Sequence, residues 1–347
     1  MARVTIKDVA ERAGVSKTAV SFAFNDPSRL SEATVQKILA VAKELGYAPH
    51  PIARSLNIGR AGVLGLLLPQ DIPTILENPF FIQFIRGIGR TCDQEALSLM
   101  LIPPVEGSML KAVDHAIADG FVVLGLEPQD PVVNILRQRH VPFVMVDSEP
   151  LDGVPGINIE DYQGARAAMM YALHCGHRRI AIAAFESGKE GGWHEYTGTL
   201  RWRLAGYSEA LATVGLSLDH SEVQIVECEN SIEGGAEVFH RLWQAPSPPT
   251  VIIAMSDIIA LGVMGAAQQY GLEVPRDLSV IGYDDIPEAG CATPPLTTVR
   301  QPIVDKGEQA AELLVKVLWG ELTSERRTLP TELVIRASVA APRSESH

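Results

Sequence analysis

The sequence predicts an all-α amino-terminal domain followed by a larger α/β domain of two lobes built on doubly wound parallel sheets. Two observations support this fold class. Up to position 45, apolar residues recur at helical spacing within three short segments. From position 62 onward, short apolar runs alternate with helical stretches. The chain has 347 residues, 46% of them hydrophobic, which is enough for two to three domains with sizeable cores.

Charge divides the chain in the same way. The formal net charge is −13, yet residues 1–60 carry nine Lys or Arg and five acids, leaving +4 in the head and −17 in the remainder. A basic head on an acidic body is typical of a nucleic-acid-binding module joined to a domain for a small molecule. The amino terminus has charges where a signal peptide needs apolar residues, no apolar run is long enough to span a membrane, and the four cysteines form no CxxC pair. We therefore expect a cytoplasmic protein.

The three helices of the head follow polar residues suited to capping. Helices are predicted after Thr5, after Ser16 and after Ser31, the last running to about Leu45. Gly14 supplies the backbone freedom for a tight turn between the first two helices. This pattern is a helix-turn-helix, whose second helix presents its outer face to the major groove of DNA. A short helix that closes at Gly59 is predicted next, and it is too short to be stable alone.

These residues resemble a known family. The runs VTIKDVAERAGVSKTAVSFAFN and LGYAPHPIARSLNIGR are similar to the headpiece and hinge of the LacI/GalR family of bacterial transcription regulators. The resemblance implies that the hinge helix folds on operator DNA and that paired Leu56 side chains wedge into the minor groove. Phe22 stands where most members carry arginine, so only apolar contact is expected at that base pair. The expected DNA contacts are Thr5, Ser16, Lys17, Thr18, Ser21, Phe22, Asn25, His50, Ala53, Arg54 and Leu56.

The acidic body is predicted to contain parallel sheets covered on both faces, because its strands are short and continuously apolar. Polar residues cluster where these strands end, which is where such sheets place ligands. Carboxylates and an arginine at a cleft suit a neutral polyhydroxylated ligand. The strands are predicted at Val63–Leu68, Ser98–Ile102, Gly120–Leu124, Phe143–Val146, Ile180–Ala184, Val223–Val226, Val251–Ala254, Ser279–Gly282 and Leu333–Ser338, and helices at Phe81–Glu95, Tyr162–Cys175, Leu204–Val214 and Asp257–Tyr270.

The resemblance continues through the body in the runs NPFF (78–81), ADG (118–120), GHRRIA (176–181), SVIGYDD (279–285) and PPLTTV (294–299). It implies a type I periplasmic-binding-protein fold with three crossovers at the hinge and an effector between the lobes. Ser256 replaces the asparagine usual in sugar-responsive members, and segment 186–200 is longer than usual. Trp193 or Tyr196 in that segment is expected to close over the cleft and stack on an apolar face of a sugar, and the alternative is a mobile glycine-rich surface loop. The expected effector contacts are Asp71, Phe81, Asp147, Trp193, Arg203, Ser256, Asp284 and Gln301.

Other chemistries have weaker support in the sequence. His174 and His177 form an HxxH pair without a third ligand, so no metal site is expected. No cofactor is expected, since Gly87-Ile88-Gly89 lacks the third glycine of a dinucleotide fingerprint. Asp284 and Asp285 are adjacent and point to opposite faces, which argues against a glycosidase pair and against an enzyme.

The sequence therefore predicts a transcriptional regulator, expected to be a repressor, whose operator binding responds to a small molecule. The effector is expected to be a sugar, with a purine or nucleoside as the alternative; a solute-binding or chemoreceptor protein is the more distant one. Binding as a homodimer on pseudopalindromic DNA is expected, because one headpiece reads only a half-site. The predicted domains are a headpiece (1–48), a hinge (49–60), a two-lobed effector-binding and dimerisation domain (61–340) and a disordered tail (341–347).

Overall fold

The computed structural model describes residues 4–48, 60–187, 191–321 and 324–343. They fall into two compact units, Met1–Val63 with Ile117–Asp119, and Leu64–Ala116 with Gly120–His347. The predicted hinge (49–59) and the last four residues of the predicted tail (344–347) lie outside the described residues.

The first unit contains the three predicted helices, α1 (Ile6–Ala13), α2 (Lys17–Asn25) and α3 (Glu32–Leu45). A capping box holds the start of α1, because the Thr5 backbone nitrogen and hydroxyl both donate to Asp8 Oδ2 at 2.8 Å. Gly14 has φ +66° and makes the predicted turn into α2, which Ser16 caps through the Ala19 nitrogen. The helix-turn-helix prediction is therefore confirmed.

The second unit contains two sheets, each of six strands in the described part of the chain. The strands are β1 (Val63–Leu67), β2 (Ser98–Ile102), β3 (Gly120–Leu124), β4 (Phe143–Val146), β5 (Gly156–Ile159), β6 (Ile180–Phe185), β7 (Val223–Cys228), β8 (Val251–Ala254), β9 (Ser279–Asp284), β10 (Thr297–Arg300), β11 (Arg326–Leu329) and β12 (Glu332–Val334). The first sheet has the order β11-β5-β4-β3-β1-β2, and the second has the order β12-β10-β9-β8-β6-β7. The pairs β1–β3, β3–β4, β4–β5, β5–β11, β6–β7, β6–β8, β8–β9 and β9–β10 are parallel, whereas β10–β12 is antiparallel.

Helices separate most of these strands, as doubly wound sheets require. They are α4 (Ile72–Glu77), α5 (Pro79–Gln94), α6 (Met109–His115), α7 (Pro131–Gln138), α8 (Asp161–His174), α9 (Gly198–Ala212), α10 (Ile232–Trp243), α11 (Asp257–Gln269), α12 (Pro287–Cys291) and α13 (Ile303–Leu318).

The chain passes between the two sheets three times within the described residues: from β5 through α8 to β6, from β10 through α13 to β11, and from β11 to β12. Helix α13 packs against α5 and the first sheet, whereas α8 packs against α9 and the second. The two lobes and their three crossovers are therefore as predicted. No helix in the described ranges is both long and apolar enough to cross a membrane.

The predicted strands agree with the structure except at the end of the chain. Eight of them lie within two residues of an observed strand, whereas the predicted strand Leu333–Ser338 is wrong beyond Val334. Beyond Val334, the backbone nitrogen of Ala337 donates to the carbonyl of Pro295, and the carbonyl of Ser338 accepts from the backbone nitrogen of Val280. The segment therefore does not pair continuously with a single strand.

Candidate functional site

A cavity of about 740 Å³ lies between the two lobes of the second unit. This volume is typical of small-molecule sites, which span about 300–1,000 Å³. Residues from both sheets line it, at or just beyond the carboxyl ends of β1, β3, β4, β6, β7, β8 and β9. Six of the eight predicted effector contacts are among its lining residues: Phe81, Asp147, Arg203, Ser256, Asp284 and Gln301.

Two aspartates at strand ends face each other across this cavity in unusual backbone conformations. Asp147 follows β4 of the first lobe with φ +52°, and Asp284 ends β9 of the second lobe with φ +123°. Positive φ is costly for a residue with a Cβ, by about 1–3 kcal/mol, and such residues cluster at binding and catalytic sites. These conformations therefore lower the stability of the fold while they place one carboxylate from each lobe at the cavity.

Arg203 is held at the cavity wall by three contacts. Its Nε donates to Asp161 Oδ1 at 2.8 Å, its Nη1 donates to the carbonyl of Met255, and its guanidinium lies 3.5 Å from the ring centroid of Tyr283. Arg203 and Asp161 are both 4% exposed. Gly206 allows this pairing, because a Cβ there would collide with the carbonyl oxygen of Tyr162 and push α9 away from α8.

Burial and the opposite charges nearby shift the pKa values of these groups in opposite directions. Burial raises the pKa of Asp161 to about 6, although the neighbouring Arg203 lowers it. Burial also raises the pKa of Asp284 to about 6, against the opposing effects of Arg203, the Gln301 hydrogen bond and Lys306. Burial lowers the pKa of Arg203, but Asp161 and its other anionic neighbours raise it further, so the guanidinium stays charged.

An asparagine lies beside the serine that departs from the family pattern. Ser256 Oγ donates to Asn230 Oδ1 at 2.6 Å, and both residues line the cavity. Asn230 comes two residues after β7 and therefore restores an amide to this part of the cleft from another strand end. Sequence reasoning missed Asn230; its position after a buried strand is the signal that could have identified it.

A fully buried lysine, also missed, connects the predicted contacts. Lys306 Nζ donates to Asp147 Oδ2 at 2.5 Å and to Gln301 Oε1 at 2.6 Å. Gln301 Nε2 in turn donates to Asp284 Oδ1 at 2.6 Å. The network therefore runs from one lobe to the other. Its signal in the sequence is a lysine on the apolar face of an amphipathic helix.

Two predicted effector contacts lie outside the lining of the cavity. Asp71 is exposed outside the cavity lining, because its carboxylate caps α4 by accepting from the Thr74 nitrogen at 3.1 Å. Trp193 also lies outside the lining. It packs against the apolar core of the second lobe and stacks on His194, with 3.7 Å between the two ring centroids. Segment 186–200 still reaches the cleft, but through Thr197, Thr199 and other small or polar residues of its two ends.

The predicted DNA contacts of the headpiece differ in their exposure to solvent. Thr5, Ser16, Lys17 and Thr18 are exposed, whereas Ser21, Phe22 and Asn25 are half-buried. The Asn25 side-chain nitrogen donates to Ser21 Oγ at 3.3 Å, so these two are already engaged with each other. Lys17 makes no ion pair with a described carboxylate, and its charge is available to a phosphate or a base edge.

Phe22 has a cationic neighbour that sequence reasoning missed. The Arg29 guanidinium lies 4.9 Å from the Phe22 ring centroid and is fixed there by an ion pair with Asp26 at 2.8 Å. Arg29 therefore places a cation beside the position where the sequence lacks the family's arginine. His50, Ala53, Arg54 and Leu56 lie outside the described residues.

His177 has a structural role. It is 1% exposed; its Nε2 donates to the carbonyl of Ala340 and its Nδ1 pairs with the hydroxyl of Thr250, both at 2.9 Å. The described residues contain no group of three or more His, Cys, Asp or Glu side chains able to hold a metal ion. Asp285 pairs with Arg300 and Arg336 at 2.7 and 2.6 Å, whereas Asp284 lines the cavity.

Comparison with known proteins agrees with this geometry. Residues 5–50 match the family profile "Bacterial regulatory proteins, lacI family", and residues 171–339 match "Periplasmic binding protein-like domain". The chain is 35% identical to the ribose operon repressor of Escherichia coli K12 over 344 residues, which cover 96% of this chain and 99% of that protein.

Two solved structures show the same fold. The Lac repressor dimer bound to operator and the anti-inducer ONPF has a TM-score of 0.80 at 26% identity, covering 98% of this chain and 100% of that one. A LacI family transcriptional regulator from Enterococcus faecium with bound ribose has a TM-score of 0.69 at 26% identity, covering 81% of this chain and 100% of that one.

The fold and the site thus define a DNA-binding transcriptional regulator with a periplasmic-binding-protein-like effector domain, which is not an enzyme. The chain belongs to the LacI family of bacterial regulatory proteins.

Proposed function

We propose that this protein is a cytoplasmic repressor that binds pseudopalindromic operator DNA as a homodimer. A neutral sugar that enters the cleft between its lobes lowers or raises its affinity for the operator. The observation that carries the proposal is the cavity itself. It brings one strand-end carboxylate from each lobe, Asp147 and Asp284, together with the Arg203 guanidinium.

This donor and acceptor set fits a polyol. Each carboxylate oxygen accepts from hydroxyl groups, and a guanidinium donates a fork to neighbouring oxygens. Because the two aspartates belong to different lobes, a ligand that bonds both has a higher affinity for one lobe arrangement than for others. That differential affinity is what shifts a conformational equilibrium.

A pentose is the first candidate for the effector. The related repressor of E. coli is named for the ribose operon, and the related E. faecium regulator holds ribose. The remaining proposed contacts are Phe81, Ser256, Gln301 and Asn230, all of which line the cavity.

On the DNA side, the proposal rests on the exposed amino-terminal end of α2. Ser16, Lys17 and Thr18 lie there in the position that a recognition helix offers to base edges. A dimer is proposed because one headpiece reads one half-site, and because the similar Lac repressor was solved as a dimer on its operator.

The test selects duplexes from a random pool with the full chain and measures affinity by fluorescence anisotropy at stepped salt. Lys17→Ala should weaken binding about tenfold if this lysine contacts a base edge or phosphate. The matched control is Lys43→Ala, an exposed lysine near the end of α3 that should change affinity less than twofold. Equal losses in both variants, or no enriched duplex, would overturn the DNA assignment.

The effector is tested by thermal shift with a panel of D-ribose, D-glucose, cellobiose, cytidine and hypoxanthine. A ligand at a hundredfold excess over its Kd stabilises the protein by about 2.7 kcal/mol. Asp284→Asn should abolish the shift, whereas the exposed control Asp219→Asn should keep it. Stabilisation by cytidine or hypoxanthine alone would replace the sugar by a nucleoside or purine.

A further inference from the structure

Lys306 is out of place in the pattern of its helix. On α13, Ile303, Gly307 and Ala310 form a buried face toward the first lobe, and Lys306 lies on this face with 0% exposure. Burying an ammonium group without partners costs several kcal/mol. A lysine here has to be paired, and its partners belong to the cleft.

The pairing uses the donors of the ammonium group. Two of its three N–H groups go to Asp147 Oδ2 and Gln301 Oε1, and Nζ also lies 4.9 Å from the ring centroid of Phe80. The lysine thus has its hydrogen-bonding and cation–π partners inside the protein.

Lys306 also determines which way the Gln301 amide points. An ammonium group only donates and an ionised carboxylate only accepts. Gln301 lies between Lys306 and Asp284, so its oxygen has to face the lysine and its nitrogen the aspartate, as observed. The orientation of both cleft carboxylates is therefore tied to one ammonium group.

One acceptor of this network is left over. Asp147 Oδ1 is buried and has no hydrogen-bond donor among the described residues. A buried acceptor without a donor costs about 1–3 kcal/mol. A ligand that donates a hydroxyl hydrogen to Asp147 recovers this free energy, whereas an acceptor-only group does not.

The charge around the cavity points to the same class of ligand. Among its described lining residues, carboxylates outnumber cations by six to one. Like charges in a cleft of low dielectric repel, so a phosphate or carboxylate on the ligand is disfavoured. The carboxylates belong to Glu127, Asp130, Asp147, Glu186, Glu229 and Asp284, and the cation is Arg203.

We propose that Lys306 is a positioning residue for the effector: it holds Asp147 and Gln301 as fixed partners, so that the cleft accepts uncharged ligands that donate hydroxyl hydrogens, while the surrounding carboxylates disfavour phosphorylated ones. This inference rests on the proposed function of the cleft. It differs from the obvious alternative for a lysine in a binding cleft, which is that the ammonium group itself receives an anionic ligand.

The experiment compares D-ribose with D-ribose 5-phosphate by isothermal titration on the full chain. The wild-type protein should bind ribose at least a hundredfold more tightly than its phosphate. Lys306→Met, which keeps an unbranched side chain one atom shorter and removes its charge, should lose at least tenfold in ribose affinity without gaining affinity for the phosphate. Lys316→Met, on the same helix and away from the cavity lining, is the matched control and should keep the wild-type affinity.

A double-mutant cycle separates positioning from folding. Asp147→Asn should cost ribose affinity in the wild-type background but less than threefold in the Lys306→Met background, because Asp147 is no longer held in position there. The double variant also removes both buried charges, so it remains measurable if Lys306→Met alone fails to fold.

The outcomes are distinct. Tighter binding of the phosphate by the wild type, with loss of that binding in Lys306→Met, would show an anion receptor and overturn the inference. Unchanged ribose affinity in Lys306→Met, or fully additive losses in the cycle, would overturn it while the proposed function stands. Absence of ribose binding in the wild type would overturn the pentose assignment and this inference together, leaving the DNA-binding part intact.

Discussion

Replacing Arg203 by methionine should destabilise the second unit far more than replacing Arg166 by methionine. Both arginines form an ion pair between helices α8 and α9, and both pairs have an N–O distance of 2.8 Å. They differ in burial. Arg203 and Asp161 have side chains 5% and 4% exposed, whereas Arg166 and Glu209 are 38% and 49% exposed.

The magnitudes follow from this difference. Opposite charges about 4 Å apart attract by about 4 kcal/mol at an effective dielectric of about 20. Removing one partner of a buried pair costs about 3–5 kcal/mol, mostly because the other charge is left without compensation. An exposed pair contributes about 0–1 kcal/mol. We therefore expect Arg203→Met to lower the free energy of unfolding by at least about 3 kcal/mol and Arg166→Met by less than about 1 kcal/mol.

The assay is urea unfolding of the two variants, followed by circular dichroism and by tryptophan fluorescence. Asp161→Asn combined with Arg203→Met should recover a large part of the loss, since no buried charge is then left unpaired. Equal destabilisation by the two single variants would refute the argument, because it would mean that burial of the pair has no energetic consequence.

Four further predictions test other parts of the structure. Burial lowers the pKa of His177 to about 4, so the unfolded chain binds the proton of this histidine between pH 6.5 and 4 whereas the folded protein does not; the difference in stability between wild type and His177→Gln in denaturant titrations should fall by about 2 kcal/mol as pH drops from 6.5 to 4 and stay level above pH 6.5. Because the pKa of Asp284 is about 6, sugar affinity measured by calorimetry should be level above pH 7 and about tenfold weaker at pH 5, and a pH-independent affinity would contradict the role of this acceptor. Gly206→Ala should lower thermal stability and sugar affinity together, because its Cβ meets the Tyr162 carbonyl; an unchanged Tm would show that the helices are less tightly apposed. Leu56→Ala should weaken operator affinity in gel-shift titrations with little effect on sugar binding, and equal operator affinity would refute the hinge assignment.

Periodicity predicted the parallel sheets and the two lobes, whereas the three crossovers were implied by the family resemblance alone. Buried parallel strands are continuously apolar, which made β1, β3, β4 and β8 visible. Strand β11, Arg326–Leu329, was missed because it is half-buried and carries two arginines, so it has no apolar run. Strand β5 is four residues long and contains Gly156 and Asn158, which weaken a strand signal.

The sequence predicted the carboxylates of the candidate site that lie at strand ends, but it did not predict the side chains that hold the site residues in place. The rule that ligands lie beyond strand carboxyl ends found Asp147 and Asp284, yet it gave Asp71 the same weight, although that residue only caps a helix. Asp161 and Lys306 begin or lie within helices. Arg203 is 42 residues from Asp161 and Asp147 is 159 residues from Lys306, and only Gln301 is close to Lys306 along the chain. Sequence periodicity carries no information about such contacts, because they arise from the packing of elements that are distant in the sequence.

The proposed function requires that a ligand bound in the cleft controls DNA binding by the same molecule. The most direct test adds the stabilising sugar to a preformed complex of the full chain and its selected duplex at fixed salt, and follows fluorescence anisotropy. Duplex affinity should change at least tenfold with the wild-type protein and less than twofold with Asp284→Asn. A duplex affinity that stays constant at saturating sugar, in a protein that binds both ligands, would contradict the proposed function.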